Sequence, residues 1–159
     1  MNRILILILL GFLATSCGSR RKVKERPNPP KVVVVKTYKK SPVINNAIEY
    51  IAYFKQTAIK EMQLFDIPAS ITLAQGILES GNGNSKLSKK SKNHFGIKCH
   101  KGWEGDKTYH DDDEKGECFR VYKDPTNSYK DHSLFLTSRS RYSDLFKIKQ
   151  GNYVKWAKG

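Results

Sequence analysis

Two acidic features of the sequence could take part in catalysis, and the first is a single glutamate, Glu79. It follows the apolar segment "IPASITLAQGIL" and precedes Ser80-Gly81, where a glycine is typical of a helix end. Helix C-termini carry partial negative charge, so a carboxylate there costs stability. The helix end and partial desolvation both favour the protonated carboxyl, which is the form that a general acid needs in glycoside hydrolysis. A surface glutamate that merely follows the helix is the alternative.

The second acidic group is a cluster within an otherwise basic chain. Seven of the 15 acidic residues lie between positions 104 and 117, so the cluster could supply a second carboxylate that activates water or stabilises an oxocarbenium ion. Its four consecutive members are Asp111, Asp112, Asp113 and Glu114. The segment is a poor calcium loop, because Lys115 occupies a ligand position. A solvated turn at a hairpin tip is the alternative.

The N-terminal segment "MNRILILILLGFLATSC" is typical of an export signal. Its apolar run is shorter than the roughly 20 residues that span a bilayer, and it suits a signal-peptide core. Cys17 directly follows "LATS", which resembles a bacterial lipobox, so we expect residues 1–16 to be removed and Cys17 to be acylated. A plain secretory signal with an incidental cysteine is the alternative.

The charge balance indicates an acidic partner. The chain has 159 residues and a net charge of +14, which in a cytosolic protein would indicate nucleic acid. For an exported chain we expect no nucleic acid, and the basic residues would face cell-wall polymers, anionic lipid head groups or simply solvent. Part of the excess lies in residues 17–42, a basic segment containing "RPNPPK", which we expect to be an extended tether. Residues 43–159 would form the folded domain.

Export also bears on the cysteines. Cys99 and Cys118 would remain as a pair in an oxidising compartment, which favours a disulfide. A zinc site with His100 and His110 is disfavoured, because adjacent residues of a strand point to opposite faces and no Cys-x-x-Cys spacing is present. We therefore expect no metal.

Apolar periodicity predicts two helices followed by a small β insert and further helices. Ser41 and Pro42 would begin the first helix, and its buried face would comprise Ile44, Ile48, Ile51, Ala58 and Met62. The second would follow Pro68, with a buried face of Ile71, Ala74, Ile77 and Leu78. "HFGIKC" and "CFRVY" suit short strands, and Asp124-Pro125 would cap a later helix. This order predicts an α+β fold that is mainly α.

The motifs "AQGILESG", "NHFGIK", "FRVY" and "DHSLFL" occur in this order, and together they resemble the glucosaminidase domain of glycoside hydrolase family 73. The resemblance implies a lysozyme-like fold, in which a helical lobe and a small β lobe flank a glycan cleft. The disulfide expected from the cysteines would tie the β lobe. It implies hydrolysis of the β-1,4 bond between N-acetylglucosamine and N-acetylmuramic acid in peptidoglycan. Glu79 would be the general acid, and a second acid would fall among Asp111, Asp112, Asp113 and Glu114.

A glycan cleft is also suggested by the aromatic residues, on which sugar rings stack. The expected substrate-binding residues are Asn93, Phe95, Trp103, Tyr122, Tyr142 and Tyr153. For Phe95 a place in the hydrophobic core is the alternative. Relatives usually continue with a further helical segment, so the domain would be C-terminally short for the family, which bears on its activity. We expect a monomeric, cofactor-free enzyme on the periplasmic side of the cell envelope, anchored in the membrane by Cys17. A non-catalytic peptidoglycan-binding lipoprotein and a lytic transglycosylase are the alternatives.

Overall fold

The computed structural model describes residues 43–159, which form a mainly helical domain with one β-hairpin. The predicted signal peptide 1–16, Cys17 and the tether 17–42 lie outside the described residues. Among residues 43–159 no helix is both long and apolar enough to cross a membrane. The elements are α1 (Ala47–Phe65), α2 (Ala69–Ser80), α3 (Lys86–Ser91), β1 (Lys107–His110), β2 (Glu117–Arg120), α4 (Pro125–Thr137), two 3₁₀ turns (Ser140–Tyr142 and Leu145–Lys147) and α5 (Tyr153–Trp156).

Helix α1 begins later than predicted and buries a different face. Asn46 is its N-cap, and the Asn46 side-chain oxygen accepts a hydrogen bond from the Glu49 N–H at 3.0 Å. The predicted start at Ser41-Pro42 is wrong, because residues 43–46 are not helical. The predicted isoleucine face is wrong in part: Ile48 and Ile51 are 80 % and 41 % exposed, whereas Ala58 is buried and Ile44 packs against the core. The buried face is instead Tyr50, Phe54, Ala58 and Glu61.

Helix α2 packs against α1 through small and polar residues, and the two predicted helices form an αα-hairpin. Its buried residues are Thr72, Gly76 and Ser80, spaced four apart. The predicted apolar face is therefore wrong in part: Ala74 and Leu78 are exposed, whereas Ile71 and Ile77 are partly buried against the core. A face of small residues lets two helices approach closely, which is why the large aliphatic residues of α2 lie at its sides.

The β insert is an antiparallel hairpin of β1 and β2, with Thr108 opposite Phe119. An isolated antiparallel bridge joins Lys98 to Phe119. The predicted disulfide between Cys99 and Cys118 is confirmed, and it attaches the 94–100 segment to β2. The insert is thus anchored at its base.

Helix α4 begins as predicted, with Asp124 as N-cap and Pro125 in the first turn. It packs against α1, and Tyr129 lies in a core with Tyr50, Phe54 and Phe95. A second core joins Ile67, Leu136 and Trp156. The two cores hold both ends of the α1–α2 hairpin.

Candidate active site

Glu79 lies one residue before the end of α2, and the neighbouring buried residue Ser80 holds that end in place. Gly81 adopts φ 56°, a left-handed conformation that closes the helix. The Ser80 hydroxyl donates to the Gly76 carbonyl at 2.5 Å and accepts from the Gly83 N–H at 2.7 Å. Ser80 is fully buried whereas Glu79 is exposed, so the expected partial burial of the Glu79 carboxyl is not found.

A cavity of about 340 Å³ contains Glu79 in its lining. Its walls come from α2, the 95–100 segment, α4 and the first 3₁₀ turn, which bring together Gln75, Glu79, Phe95, Gly96, Ile97, Lys98, His100, His132, Phe135, Leu136, Arg141 and Tyr142. Two of the predicted substrate-binding residues, Phe95 and Tyr142, are therefore beside Glu79. Glu79 is the one acidic residue of this lining, and within the described part of the chain its carboxyl has no ion pair at 4.0 Å or less.

Beneath α2 a buried chain of polar aromatic groups sets the helix position. Tyr129 Oη donates to Tyr50 Oη at 2.7 Å, and Tyr50 Oη lies 2.8 Å from His94 Nδ1. Burial lowers the pKa of His94 to about 4, so the ring is neutral, and in the tautomer that is protonated on Nε2 its Nδ1 accepts from Tyr50. Burial raises the pKa of Tyr50 to about 12, which keeps it a donor. A Cβ at Gly76 would lie 2.5 Å from Tyr50 Oη, so this position requires glycine.

Most residues of the cavity lining were not predicted from the sequence, and His132 and Gln75 are two of them. His132 is 7 % exposed, its ring stacks on Phe95 with 4.2 Å between centroids, and its Nδ1 is buried without a hydrogen-bond partner among the described residues. Burial lowers the pKa of His132 to about 4. Gln75 Oε1 is likewise buried without a partner in that part of the chain. His132 lies in the motif "DHSLFL" and Gln75 in "AQGILESG", and these motifs are the only sequence signal for the two residues.

The four acids predicted to assist Glu79 do not line its cavity. They lie at the exposed hairpin tip, where the Asp111 carboxylate accepts from the Gly116 N–H at 2.7 Å. Lys98, which lines the cavity, pairs with Asp113 at 2.9 Å and with Glu117 at 2.6 Å. The hydrogen bond from Lys98 lowers the pKa of Glu117. Lys98 therefore connects the acidic hairpin tip to the Glu79 cavity.

The remaining predicted binding residues serve the β insert or lie elsewhere. Trp103 stacks on the Arg120 guanidinium, with 4.4 Å to the ring centroid. Tyr122 donates to the Asp131 carboxylate, which also accepts from Arg120 at 2.8 Å and 3.0 Å. Neither aromatic lines the Glu79 cavity, and Tyr153 lines a separate one.

Asn93 has a structural role that the sequence analysis did not predict. Its side chain is 2 % exposed. The amide donates to the Ile97 and Arg120 carbonyls at 2.9 Å and 3.1 Å, and its oxygen accepts from the Phe95 and Ile97 N–H groups at 3.3 Å and 3.0 Å. With every donor and acceptor position used by backbone, Asn93 shapes the segment that carries Phe95 and does not face the cavity.

Comparison with known proteins gives consistent matches. The glucosaminidase family model, described as mannosyl-glycoprotein endo-beta-N-acetylglucosaminidase, matches residues 55–158. The peptidoglycan hydrolase FlgJ of Vibrio cholerae is 27 % identical over 142 residues, which cover 79 % of this chain and 42 % of that protein. The exo-glucosaminidase LytG of Bacillus subtilis is 36 % identical over 102 residues, covering 58 % of this chain and 36 % of LytG. The chain thus spans less than half of either relative.

Solved structures agree with the fold prediction. The glycoside hydrolase domain of Salmonella typhimurium FlgJ has a TM-score of 0.54 and 28 % identity, covering 62 % of this chain and 65 % of that one. A peptidoglycan hydrolase from Sphingomonas sp. A1 has a TM-score of 0.55 and 27 % identity, covering 60 % of this chain and 65 % of that one. These matches confirm the predicted α+β, mainly helical, lysozyme-like fold.

Proposed function

Because the chain belongs to the glucosaminidase family of glycoside hydrolases, we propose that it hydrolyses peptidoglycan at the β-1,4 bond between N-acetylglucosamine and N-acetylmuramic acid. Family membership agrees with the predicted glycoside hydrolase. The related protein FlgJ is a peptidoglycan hydrolase. The single observation that carries the proposal is the position of Glu79, whose carboxyl has no ion pair among residues 43–159 and lines a cavity together with Phe95 and Tyr142.

In the proposed mechanism, protonated Glu79 donates its proton to the glycosidic oxygen as the bond from that oxygen to the anomeric carbon breaks. Tyr142 offers an apolar face against which a sugar ring stacks, while Phe95, which is buried in the core, shapes the wall of the cavity. Water then adds to the anomeric carbon and restores the proton to Glu79. The chemistry requires no cofactor.

The second contribution to catalysis has two candidate sources. One is an acid of the hairpin tip, Asp111, Asp112, Asp113 or Glu114, which would approach along the edge that Lys98 occupies. The other is the substrate's own acetamido group, as in the known exceptions to the scheme with two carboxylates. The absence of a second acid among the residues that line the cavity favours the acetamido group.

The same observation favours one alternative reaction. A lytic transglycosylase needs one acid only, and it closes the muramic acid 6-hydroxyl onto the anomeric carbon in place of water. Its products end in anhydro-muramic acid, whereas a glucosaminidase leaves reducing N-acetylglucosamine ends. The two reactions are therefore distinguished by the mass of the product.

The decisive experiment is mass spectrometry of the soluble products after purified peptidoglycan is incubated with the chain, with Glu79→Gln and with the control Glu104→Gln. Glu104 is exposed and does not line the cavity. We expect reducing N-acetylglucosamine ends from the parent and from the control, and a loss of at least 100-fold in Glu79→Gln, because general acid catalysis contributes about 10²–10⁴-fold. No products from the parent, with the protein still bound to the wall, would leave only a peptidoglycan-binding role.

We also propose that the chain is anchored to the membrane of the cell envelope through acylated Cys17. The lipobox-like sequence and the basic segment 17–42 support this placement. Metabolic labelling with a fatty-acid analogue should mark the parent and not Cys17→Ala. An equally labelled Cys17→Ala would refute the anchor and leave the hydrolase proposal untouched.

A further inference from the structure

Two arginines beside the Glu79 cavity have no anionic partner within the described residues. Arg139 precedes the first 3₁₀ turn and Arg141 lies in it. Among residues 43–159, neither guanidinium has a carboxylate within 4.0 Å, while Arg120 pairs with Asp131 and Lys98 with Glu117. The two arginines therefore present positive charge that no carboxylate of the described residues compensates.

Both arginines are held over one aromatic platform. The Arg139 and Arg141 guanidinium carbons lie 4.1 Å and 5.8 Å from the centroid of the Phe135 ring. Arg141 also lies 4.7 Å from the Tyr142 ring centroid. Stacking against aromatic faces orients a guanidinium and leaves its N–H edge free to donate. The pair is thus ordered without having its donors consumed.

The Phe135 ring, over which both arginines lie, continues the wall of the Glu79 cavity. Phe135 and Arg141 line that cavity, and Phe135 and Arg139 line a neighbouring one of about 220 Å³. The His100 ring lies 5.6 Å from Phe135. Burial lowers the pKa of His100, and the positive charges of Arg139, Arg120 and Arg141 lower it further. A ligand leaving the cavity over Phe135 therefore meets two arginines in succession.

We propose that Arg139 and Arg141 form a carboxylate-binding rim that selects glycan strands carrying peptide stems. The inference rests on the proposed function, since it assigns the substrate class of the same site. The peptide stems of peptidoglycan extend from the lactyl group of muramic acid, next to the scissile bond, and carry carboxylates. A guanidinium donates two parallel hydrogen bonds to a carboxylate, which gives geometric selectivity as well as attraction.

The test compares two polymers made from one peptidoglycan preparation, one with its peptides and one stripped of them by an amidase. Both are first freed of wall phosphate polymers, so that phosphate cannot produce a preference. The proteins are the full chain, Arg139→Gln/Arg141→Gln, Arg139→Lys/Arg141→Lys and the control Lys149→Gln, an exposed cation that lines a different cavity. The measured quantity is the ratio of kcat/KM on the two polymers.

We expect the parent to prefer the peptide-bearing polymer, and the Gln double variant to reduce this preference about tenfold, equivalent to about 1.4 kcal/mol. The Lys double variant should keep part of it, because it retains the charges without the bidentate geometry. Equal rates of the parent on both polymers, or an unchanged ratio in the Gln variant, would overturn the inference. If the parent cuts neither polymer, the hydrolase proposal fails. The arginine rim is then tested by cosedimentation, in which the fraction of protein bound to the peptide-bearing polymer is divided by the fraction bound to the stripped polymer and compared between the parent and the Gln double variant.

Discussion

Replacing Gly76 by alanine is expected to destabilise the domain, although alanine favours helices by about 1 kcal/mol over glycine. The new Cβ would lie 2.5 Å from Tyr50 Oη and 3.3 Å from Tyr129 Oη, and overpacking of this kind costs about 1–3 kcal/mol. Moving the Tyr50 hydroxyl also weakens its buried bonds to Tyr129 and His94, and each one left unmade costs about 1–3 kcal/mol. The net loss in the free energy of unfolding is about 2–4 kcal/mol.

Urea unfolding followed by circular dichroism measures this loss, with Gly151→Ala as the control, because a Cβ at Gly151 meets nothing within 4 Å. Tyr50→Phe removes the atom that the new methyl group meets. The double variant Gly76→Ala/Tyr50→Phe should therefore be more stable, by about 1 kcal/mol or more, than the sum of the single changes predicts. Additive single changes, or a Gly76→Ala protein as stable as the parent, would refute the close contact between α2 and Tyr50.

Two further predictions concern stability. Burial lowers the pKa of both His94 and His132 from 6.5 to about 4. As the pH falls, these histidines therefore take up protons in the unfolded chain at a higher pH than in the folded one. The free energy of unfolding should be highest above about pH 6.5 and fall by a few kcal/mol as the pH drops towards 4; an unfolding midpoint that is flat from pH 7 to 5 would contradict this. Reduction of Cys99–Cys118, whose partners lie 19 positions apart, should cost about 3 kcal/mol, seen as a lower melting temperature with dithiothreitol. A Cys99→Ser/Cys118→Ser protein should melt at that lower temperature with or without reductant.

Helix ends that depend on local signals could be predicted from the sequence. Pro68 precedes α2, Gly81 closes it, and Asp124-Pro125 begins α4, because backbone restriction and capping act within a few residues. Glu79 was placed at a helix end for the same reason. Asn46 was overlooked as a cap because Ser41-Pro42 offered a similar signal five residues earlier, and only the packing of α1 distinguishes the two.

Buried faces and long-range contacts could not be predicted in the same way. Apolar spacing favoured the isoleucines of α1, yet Tyr50 and Phe54 are buried because partners from α4 and the 93–97 segment complete their surroundings. Arg141 and Tyr142 lie more than 60 positions after Glu79, and no periodicity links them to it. The hairpin acids were expected beside Glu79, but their distance from the cavity depends on the course of the whole β insert.

The base of the β-hairpin is constrained three times, by the Lys98–Phe119 bridge, the Cys99–Cys118 disulfide and the Arg120–Asp131 ion pair. The tip, residues 111–116, is tied to the rest of the domain mainly through Lys98. A hairpin fastened in this way has a fixed base, whereas a change of charge at the tip reaches the cavity wall through Lys98. Loss of the Asp113 carboxylate would therefore leave the fold of the base intact and make the ammonium group in the wall of the Glu79 cavity less compensated.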